Sequence, residues 1–160
     1  MKLSIKLFIC ISLLTLWGCA NRSVVVTPFK AVSIELPTRI AFTADPTASG
    51  KFDELVIKIA QNYGAEVISS PTDGNHKIPN VDLVMSYSDR WYWDLYNHLK
   101  TFDLNIFDAK TGDLLIQGRW LNTPGYMKYY DDAVTNVVTD TLERLIPKRN
   151  APAPKPESTK

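Results

Sequence analysis

The protein has 160 residues, of which 45% are hydrophobic and 22% are charged. This length is close to one domain and this composition is ordinary for a globular protein, so wholesale disorder, a collagen-like chain and a multi-span membrane protein are excluded. The formal net charge of +1 lacks the basic excess of nucleic-acid-binding proteins, so no nucleic-acid partner is expected.

Residues 1–18 have the pattern of an export signal. Lys2 and Lys6 precede an apolar run, which is shorter than the ~20 residues that a membrane-spanning helix needs. The run ends in Leu16-Trp17-Gly18-Cys19. This ending resembles the lipobox of bacterial lipoproteins, in which a small residue precedes the cysteine that is lipidated.

The lipoprotein resemblance implies a diacylglycerol on the Cys19 sulfur and an acyl chain such as palmitate on its new amino group. Several chains anchor a protein stably where one would not. Ala20 replaces the aspartate that favours inner-membrane retention, which implies attachment to the outer membrane, facing the periplasm. Cys10 leaves with the signal, so the mature chain is expected to have no free thiol.

Composition divides the remaining chain into three parts. Residues 19–37 are polar and β-branched with two prolines and are predicted to form a lipidated tether, in which 32–36 is a candidate strand. Residues 38–146 carry the periodic patterns of a folded domain. Residues 147–160 are rich in proline and lysine and are predicted to form a disordered or polyproline tail.

The domain begins with a predicted β-α-β unit. Residues 39–43 and 65–68 are short candidate strands. Between them, Ser49 is a candidate helix cap and Gly64 a helix stop. The intervening apolar residues recur at helical spacing; they are Phe52, Leu55, Val56, Ile59, Ala60 and Tyr63.

Residues 82–122 are predicted to form three antiparallel strands. Alternation places Trp91, Trp93 and Trp120 on one buried face. Asp89 interrupts this face, which indicates a bulge or a buried, hydrogen-bonded carboxylate. Pairing Asp108 with Leu114 fixes the register of the last two strands. This register places four cross-strand pairs opposite each other: Phe102 with Trp120, Asp103 with Arg119, Asn105 with Gln117, and Phe107 with Leu115.

A second helix is predicted to begin at Asp131 and Asp132, whose charges suit its N-terminus, and to end at Pro147. Both helices have a single apolar stripe and the sheet has one apolar face. We therefore predict an α+β fold, a two-layer sandwich of a mixed four- or five-stranded sheet in β-α-β-β-β-α order with two helices on one face.

The sequence shows no recognisable constellation for chemistry. His76, in a polar loop, and His98, in a connection between strands, have no ligand at metal-binding spacing. We therefore predict no metal site, no cofactor and no enzymatic activity.

Aromatic residues are the unusual feature of the sequence, at 11%. Exposed aromatic residues with a polar group suit partner or ligand surfaces, although these can equally be half-buried spacers. The candidate binding surface is the sheet face opposite the helices, with a tyrosine-rich loop at one end; it comprises Arg90, Tyr92, Asp103, Phe107, Arg119, Tyr126, Tyr129 and Tyr130. Leu121 is predicted to lie on the same face.

A tryptophan-rich strand (Tyr87-Ser88-Asp89-Arg90-Trp91-Tyr92-Trp93-Asp94) is followed by an Asp-x-x-Thr-Gly hairpin at residues 108–112. This arrangement resembles a group of uncharacterised Gram-negative outer-membrane lipoproteins, over residues 38–146. More distantly, the element order resembles the lipoprotein partner of the lipopolysaccharide translocon. We therefore expect a lipid-anchored, non-catalytic binding or assembly module with an envelope protein as partner. The alternative is a lipoprotein that binds a small ligand or glycan through Arg90, Tyr92, Asp103 and Arg119.

Overall fold

The computed structural model describes residues 24–31, 38–43, 45–70, 76–94, 96–122 and 130–146. These residues form one mixed sheet of six strands in the order β1-β6-β5-β4-β2-β3, together with two helices. The elements are β1 (Val24–Pro28), β2 (Arg39–Thr43), α1 (Asp53–Asn62), β3 (Glu66–Ser70), β4 (Leu83–Asp94), β5 (Tyr96–Asp108), β6 (Leu114–Leu121) and α2 (Tyr130–Leu145). The predicted α+β fold is confirmed, with a mixed sheet and two helices. The sheet has six strands, not four or five: β1 precedes the predicted β-α-β unit, and three strands follow that unit before α2.

Both helices pack against the same face of the sheet. The apolar stripe of α1 buries Val56, Ile59 and Ala60, and that of α2 buries six residues, including Val137 and Leu142. They close one core with the inward residues of the central strands, such as Phe102, Leu104 and Ile106. The opposite face of the sheet is called the outer face below.

The additional strand β1 lies in the segment predicted to be a tether. It pairs antiparallel with β6, from Val24 opposite Trp120 to Pro28 opposite Ile116. Val24 and Val26 pack against the main core, and the Arg144 side chain donates a hydrogen bond to the Val26 carbonyl at 3.1 Å. The predicted strand at 32–36 lies outside the described residues.

Strand β5 begins at Tyr96, earlier than predicted, so the connection predicted near His98 is part of the hairpin of β4 and β5. A register shift between Arg90 and Trp91 interrupts the pairing of β4 with β5, as the interruption of the alternation at Asp89 indicated. Thr101 pairs with both Arg90 and Leu121, the last residue of β6. Four residues of β4 therefore continue beyond the end of β6, and residues 91–94 and 96–99 are called the hairpin tip.

The predicted register between β5 and β6 is confirmed over residues 102–105: Phe102 pairs with Trp120, and Asn105 pairs with Gln117. It is wrong at Phe107, which pairs with Leu114 across a second register shift.

The turn between β5 and β6 explains this shift. The Asp108 carboxylate accepts hydrogen bonds from the backbone N–H groups of Lys110 and Thr111, both at 2.8 Å, and these bonds lower its pKa. Gly112 closes the turn with a φ of 78°, a conformation that glycine adopts without strain. The extra residue on β6 turns Leu115 into the main core, so the predicted apolar pair of Phe107 and Leu115 on the outer face does not form.

Candidate functional site

Two of the predicted site residues meet at the centre of the outer face. Asp103 and Arg119 are cross-strand neighbours and form an ion pair through Arg119 Nε. Asp103 is buried, whereas about half of the Arg119 side chain is exposed. Two residues along the same strands, the Gln117 amide donates a hydrogen bond to Asn105 Oδ1 at 2.9 Å. The predicted pairing thus produces a polar ladder on this face.

Arg90 and Tyr92 lie where the hairpin tip begins. Arg90 is exposed beside the register shift, and the Tyr92 ring stacks on the His98 ring with 5.1 Å between centroids. His98 lies within β5 and is buried, not in a connecting loop as predicted, because the hairpin continues beyond it. Its Nδ1 lies 3.4 Å from the Tyr130 hydroxyl.

Phe107 is not an open aromatic residue of the outer face. The His76 ring stacks on it at 3.6 Å between centroids, and both lie near a small second core of Ala41, Val84 and Ala109. Since this end of the outer face is already covered, the prediction of an exposed Phe107 is wrong.

Tyr130 is the first residue of α2 and lies on the helix side of the sheet. Its ring contacts the edges of Trp91 and Trp120, with centroid distances of 5.6 and 6.4 Å. The predicted grouping of Tyr130 with the outer face is therefore wrong. Tyr126, Tyr129 and Cys19 lie outside the described residues.

The three tryptophans differ in burial, although one buried face was predicted for all of them. Trp120 is buried, and Trp91 is half-buried between the Phe52 ring, stacked at 6.1 Å, and the Lys51 ammonium, 4.1 Å from its centroid. Trp93, two residues further along the hairpin tip, is 74% exposed.

A buried polar network connects the base of the tip to the loop before α1. The Asp89 carboxylate accepts hydrogen bonds from the Ser49 N–H at 2.7 Å, the Ser49 hydroxyl at 2.5 Å and Trp91 Nε1 at 2.5 Å. The predicted buried carboxylate is confirmed. The predicted capping role of Ser49 is wrong, because α1 begins at Asp53 with Phe52 as its N-cap residue, and the apolar Phe52 side chain makes no capping hydrogen bond.

The Tyr87 hydroxyl stabilises the start of α1 instead. It accepts a hydrogen bond from the Phe52 N–H at 3.2 Å and donates one to Asp53 Oδ1 at 2.6 Å. Burial, and then the nearby Asp53 carboxylate, raise the pKa of Tyr87 well above that of an ordinary tyrosine.

Replacing Tyr87 with phenylalanine is expected to lower the free energy of unfolding by about 1–3 kcal/mol, because the Phe52 N–H loses its buried acceptor. The raised pKa adds a pH dependence. The contribution of Tyr87 is fully present below the unfolded-state pKa of about 10 and is lost as the pH rises through the higher folded-state value. Urea unfolding of both proteins at pH 8 and at alkaline pH should show a smaller difference at alkaline pH. A constant difference would contradict this role of the hydroxyl.

Sequence reasoning missed Val25 as a member of the outer face. It pairs with Arg119 and is exposed, as is Leu121 two residues further along β6. The β-branched run at 24–26 was the available signal, but it was assigned to the tether. Val25 and Leu121 are the apolar members of a surface near the end of the sheet where β1 begins, and its other members are charged. We call this surface the outer-face patch; it comprises Val25, Arg90, Asp103, Arg119 and Leu121.

A cleft of about 670 Å³ lies at the other end of the sheet, beside the turn between β5 and β6. Its lining includes Arg39, Lys77, Asp82 and Lys110. None of the four residues predicted to bind a small ligand lines it. In the part of the chain that the structure describes, no cluster of three or more histidine, cysteine or acidic residues has the arrangement of a metal site.

The chain matches no known protein-family model and no curated protein. Two crystal structures of PelC from Paraburkholderia phytofirmans, both dodecamers and one with a single substitution, have a similar fold, with TM-scores of 0.55 and 0.53. Both are 14% identical over 76% of this chain and 97% of PelC. TolB from Acinetobacter baumannii gives a TM-score of 0.43 at 11% identity, over 74% of this chain and 31% of TolB. At these identities the likeness to PelC concerns the fold alone.

No helix among residues 24–31, 38–43, 45–70, 76–94, 96–122 and 130–146 combines the length and the apolar character needed to span a membrane.

Proposed function

We propose that this protein is a lipid-anchored module of the bacterial outer membrane that faces the periplasm and works by binding a protein partner, without catalysis. The observation that carries the proposal is the lipobox-like Leu16-Trp17-Gly18-Cys19. Val24, the first residue of the edge strand β1, follows Cys19 by only five residues. A lipid on Cys19 would therefore hold one end of the sheet close to the membrane.

The outer-face patch is the proposed partner surface. The other face of the sheet is used by α1 and α2, whereas Val25 and Leu121 leave apolar surface exposed. Arginine beside apolar side chains is typical of protein interfaces, and covering this area would contribute about 25 cal/mol per Å². The buried carboxylate of Asp103 fixes the Arg119 guanidinium, so that little side-chain entropy would be lost on binding.

Assembly with further copies of the chain is one form that such binding could take. PelC, which shares the fold, forms a dodecamer in its crystals. We propose self-association through the outer-face patch as the first possibility to test. The cleft beside the turn between β5 and β6 gives no support to binding of a small ligand through Arg90, Tyr92, Asp103 and Arg119, because none of these residues lines it.

The anchoring prediction is tested by replacing Cys19 with serine. The sulfur that would accept the diacylglycerol is then absent, so we expect complete loss of palmitate labelling and accumulation of unprocessed precursor. Metabolic labelling and intact mass measure both. A Cys10→Ser variant is the matched control, because this cysteine lies within the signal, and it should be labelled normally. Continued labelling and processing of the Cys19→Ser variant would contradict the lipoprotein assignment.

The binding prediction is tested by replacing Val25 and Leu121 together with serine. Both side chains are exposed, so the fold should be kept while association is weakened at least tenfold. Crosslinking in intact envelopes and the mass of the purified lipidated protein measure this association.

The matched control for the binding test carries Lys58→Glu and Asn136→Lys on the exposed sides of α1 and α2. It should associate as the original protein does. Loss of association in this control, with no change in the serine variant, would show that the helical layer is the interface.

A further inference from the structure

The hairpin tip carries two exposed aromatic rings. Trp93 is 74% exposed and Tyr92 is 45% exposed. Successive residues of a strand point to opposite faces, so the two rings extend on both sides of a two-stranded ribbon. Burying both rings requires an environment that surrounds the ribbon, since docking of a partner onto one face would cover only one of them.

The tip continues past the level at which β6 ends. Arg90 and Thr101 lie level with Leu121, the last residue of β6, and four further residues of β4 follow. At ~3.3 Å per residue, these four residues extend about 13 Å. Trp91 and Leu99, at the base of the tip, pack against the main core, so its exposed aromatic rings begin at Tyr92.

The expected lipid attachment lies at the same end of the sheet. Val24, the first residue of β1, pairs with Trp120, and Trp120 in turn pairs with Phe102 of β5. The five residue steps from Cys19 to Val24 span at most about 18 Å. The maximum distance from Cys19 to Val24 is therefore similar to the length by which β4 continues past β6. A linker this short keeps the hairpin tip near the membrane that would hold the lipid.

We propose that the hairpin tip inserts Tyr92 and Trp93 into the headgroup region of the membrane that carries the Cys19 lipid. The inference rests on the proposed lipid anchor. Tryptophan and tyrosine favour this region because their rings are apolar while their N–H and O–H groups remain hydrogen-bonded. Lys51 and Lys100 are exposed near the base of the tip, where their ammonium groups can meet lipid phosphates.

Two attachments at one end would orient the molecule. With both the lipid and the tip at the membrane, the strands stand roughly along the membrane normal. The cleft beside the turn between β5 and β6 then faces away from the bilayer.

The experiment uses the mature lipidated chain in vesicles of phosphatidylethanolamine with a minor fraction of phosphatidylglycerol, prepared with and without brominated acyl chains. Trp91, Trp93 and Trp120 are the tryptophans of the mature chain. The difference between the original protein and a Trp93→Phe variant isolates the signal of Trp93. This conservative change keeps an aromatic ring at an exposed position, so the fold should be retained.

The matched control is Phe29→Ser. Phe29 is 54% exposed and follows β1 at the opposite end of the sheet, where its N–H bonds the Leu115 carbonyl. Brominated lipid should quench the tryptophan emission of the original protein and of the Phe29→Ser variant. The Trp93→Phe variant should lose most of this quenching. Acrylamide in the aqueous phase should quench Trp93 severalfold less in vesicles than in a chain that begins at Ala20, which has neither the lipid nor Trp17.

Equal quenching by brominated lipid in the original protein and the Trp93→Phe variant would overturn the proposal. Protection of Trp93 from acrylamide without quenching by bromine would also overturn it, because a protein would then cover the tip. The mass of the Cys19 adduct, measured on the same sample, separates the two hypotheses. A lipidated chain with an accessible Trp93 refutes tip insertion alone, whereas a chain without lipid refutes the anchor and with it the insertion.

Discussion

Replacing Asp89 with alanine is expected to lower the free energy of unfolding by about 3–5 kcal/mol. The carboxylate is buried and accepts three hydrogen bonds, two from Ser49 and one from the Trp91 indole. Alanine removes the acceptor and leaves these donors without a partner in a site that was built around a charge. Urea unfolding monitored by circular dichroism measures the loss.

Ser49→Ala is the matched control for this experiment. It removes one of the three bonds and keeps the carboxylate, so a loss of about 1–2 kcal/mol is expected. The near-ultraviolet spectrum should change only for Asp89→Ala, because the Asp89 carboxylate accepts the hydrogen bond that holds the Trp91 indole against Phe52. Equal losses for the two variants would show that the hydroxyl contact alone stabilises the network.

Replacing Gly118 with alanine is expected to lower the free energy of unfolding by about 3 kcal/mol. Gly118 lies on β6 directly beneath α2. A Cβ atom there would overlap Thr141 Oγ1 and lie 2.8 Å from Val137 Cγ1. Both of these residues are buried, so the helix as a whole must move away from the sheet. Thermal and urea unfolding measure the effect.

The steric origin of this loss is tested by a double-mutant cycle with Thr141→Ala. The Thr141 hydroxyl donates its hydrogen bond to the Val137 carbonyl within the helix, so its removal leaves no buried donor behind. We expect the double variant to regain more than 1 kcal/mol relative to additivity. Strict additivity would show that the glycine is required for another reason. Gln117→Ala is the matched control. It changes the neighbouring residue of β6, which lies on the outer face away from α2, so the free energy of unfolding should change little.

The sequence was sufficient to predict the pairing of β5 with β6 because alternate residues of β5 lie in the main core. Alternation alone placed Phe102, Leu104 and Ile106 inward, and the opposite charges of Asp103 and Arg119 selected the correct register between β5 and β6. These signals are local or connect neighbouring strands, which is why they can be interpreted without a structure.

The errors arose where a distant element decides the environment of a residue. Alternation assigned Trp93 to the helix side but contains no information on how far the helices extend, so its exposure was missed. The stacking of His76 on Phe107 joins a loop to a strand remote in sequence. Strand β1 was missed because Val24–Pro28 lacks alternation and ends in proline, and its partner β6 is distant along the chain.

The candidate surface was only partly predictable for the same reason. The pair of Asp103 and Arg119 followed from register, whereas Val25 depended on the unrecognised strand. The assignment of Tyr130 to a loop over the outer face failed because helix α2 begins at that residue, which turns its ring towards Trp91 and Trp120.

The pairing of β1 with β6 has a consequence for the order in which the chain folds. β1 is the first strand of the described chain, but its partner β6 is the last strand of the sheet. Closing so long a loop is slow compared with forming the β4–β5 hairpin, whose residues are neighbours in sequence. We therefore expect β1 to join the sheet last, after β4, β5 and β6 have paired. Under the proposed export and lipidation, this delay would leave β1 unpaired while enzymes that modify and cleave an N-terminus act.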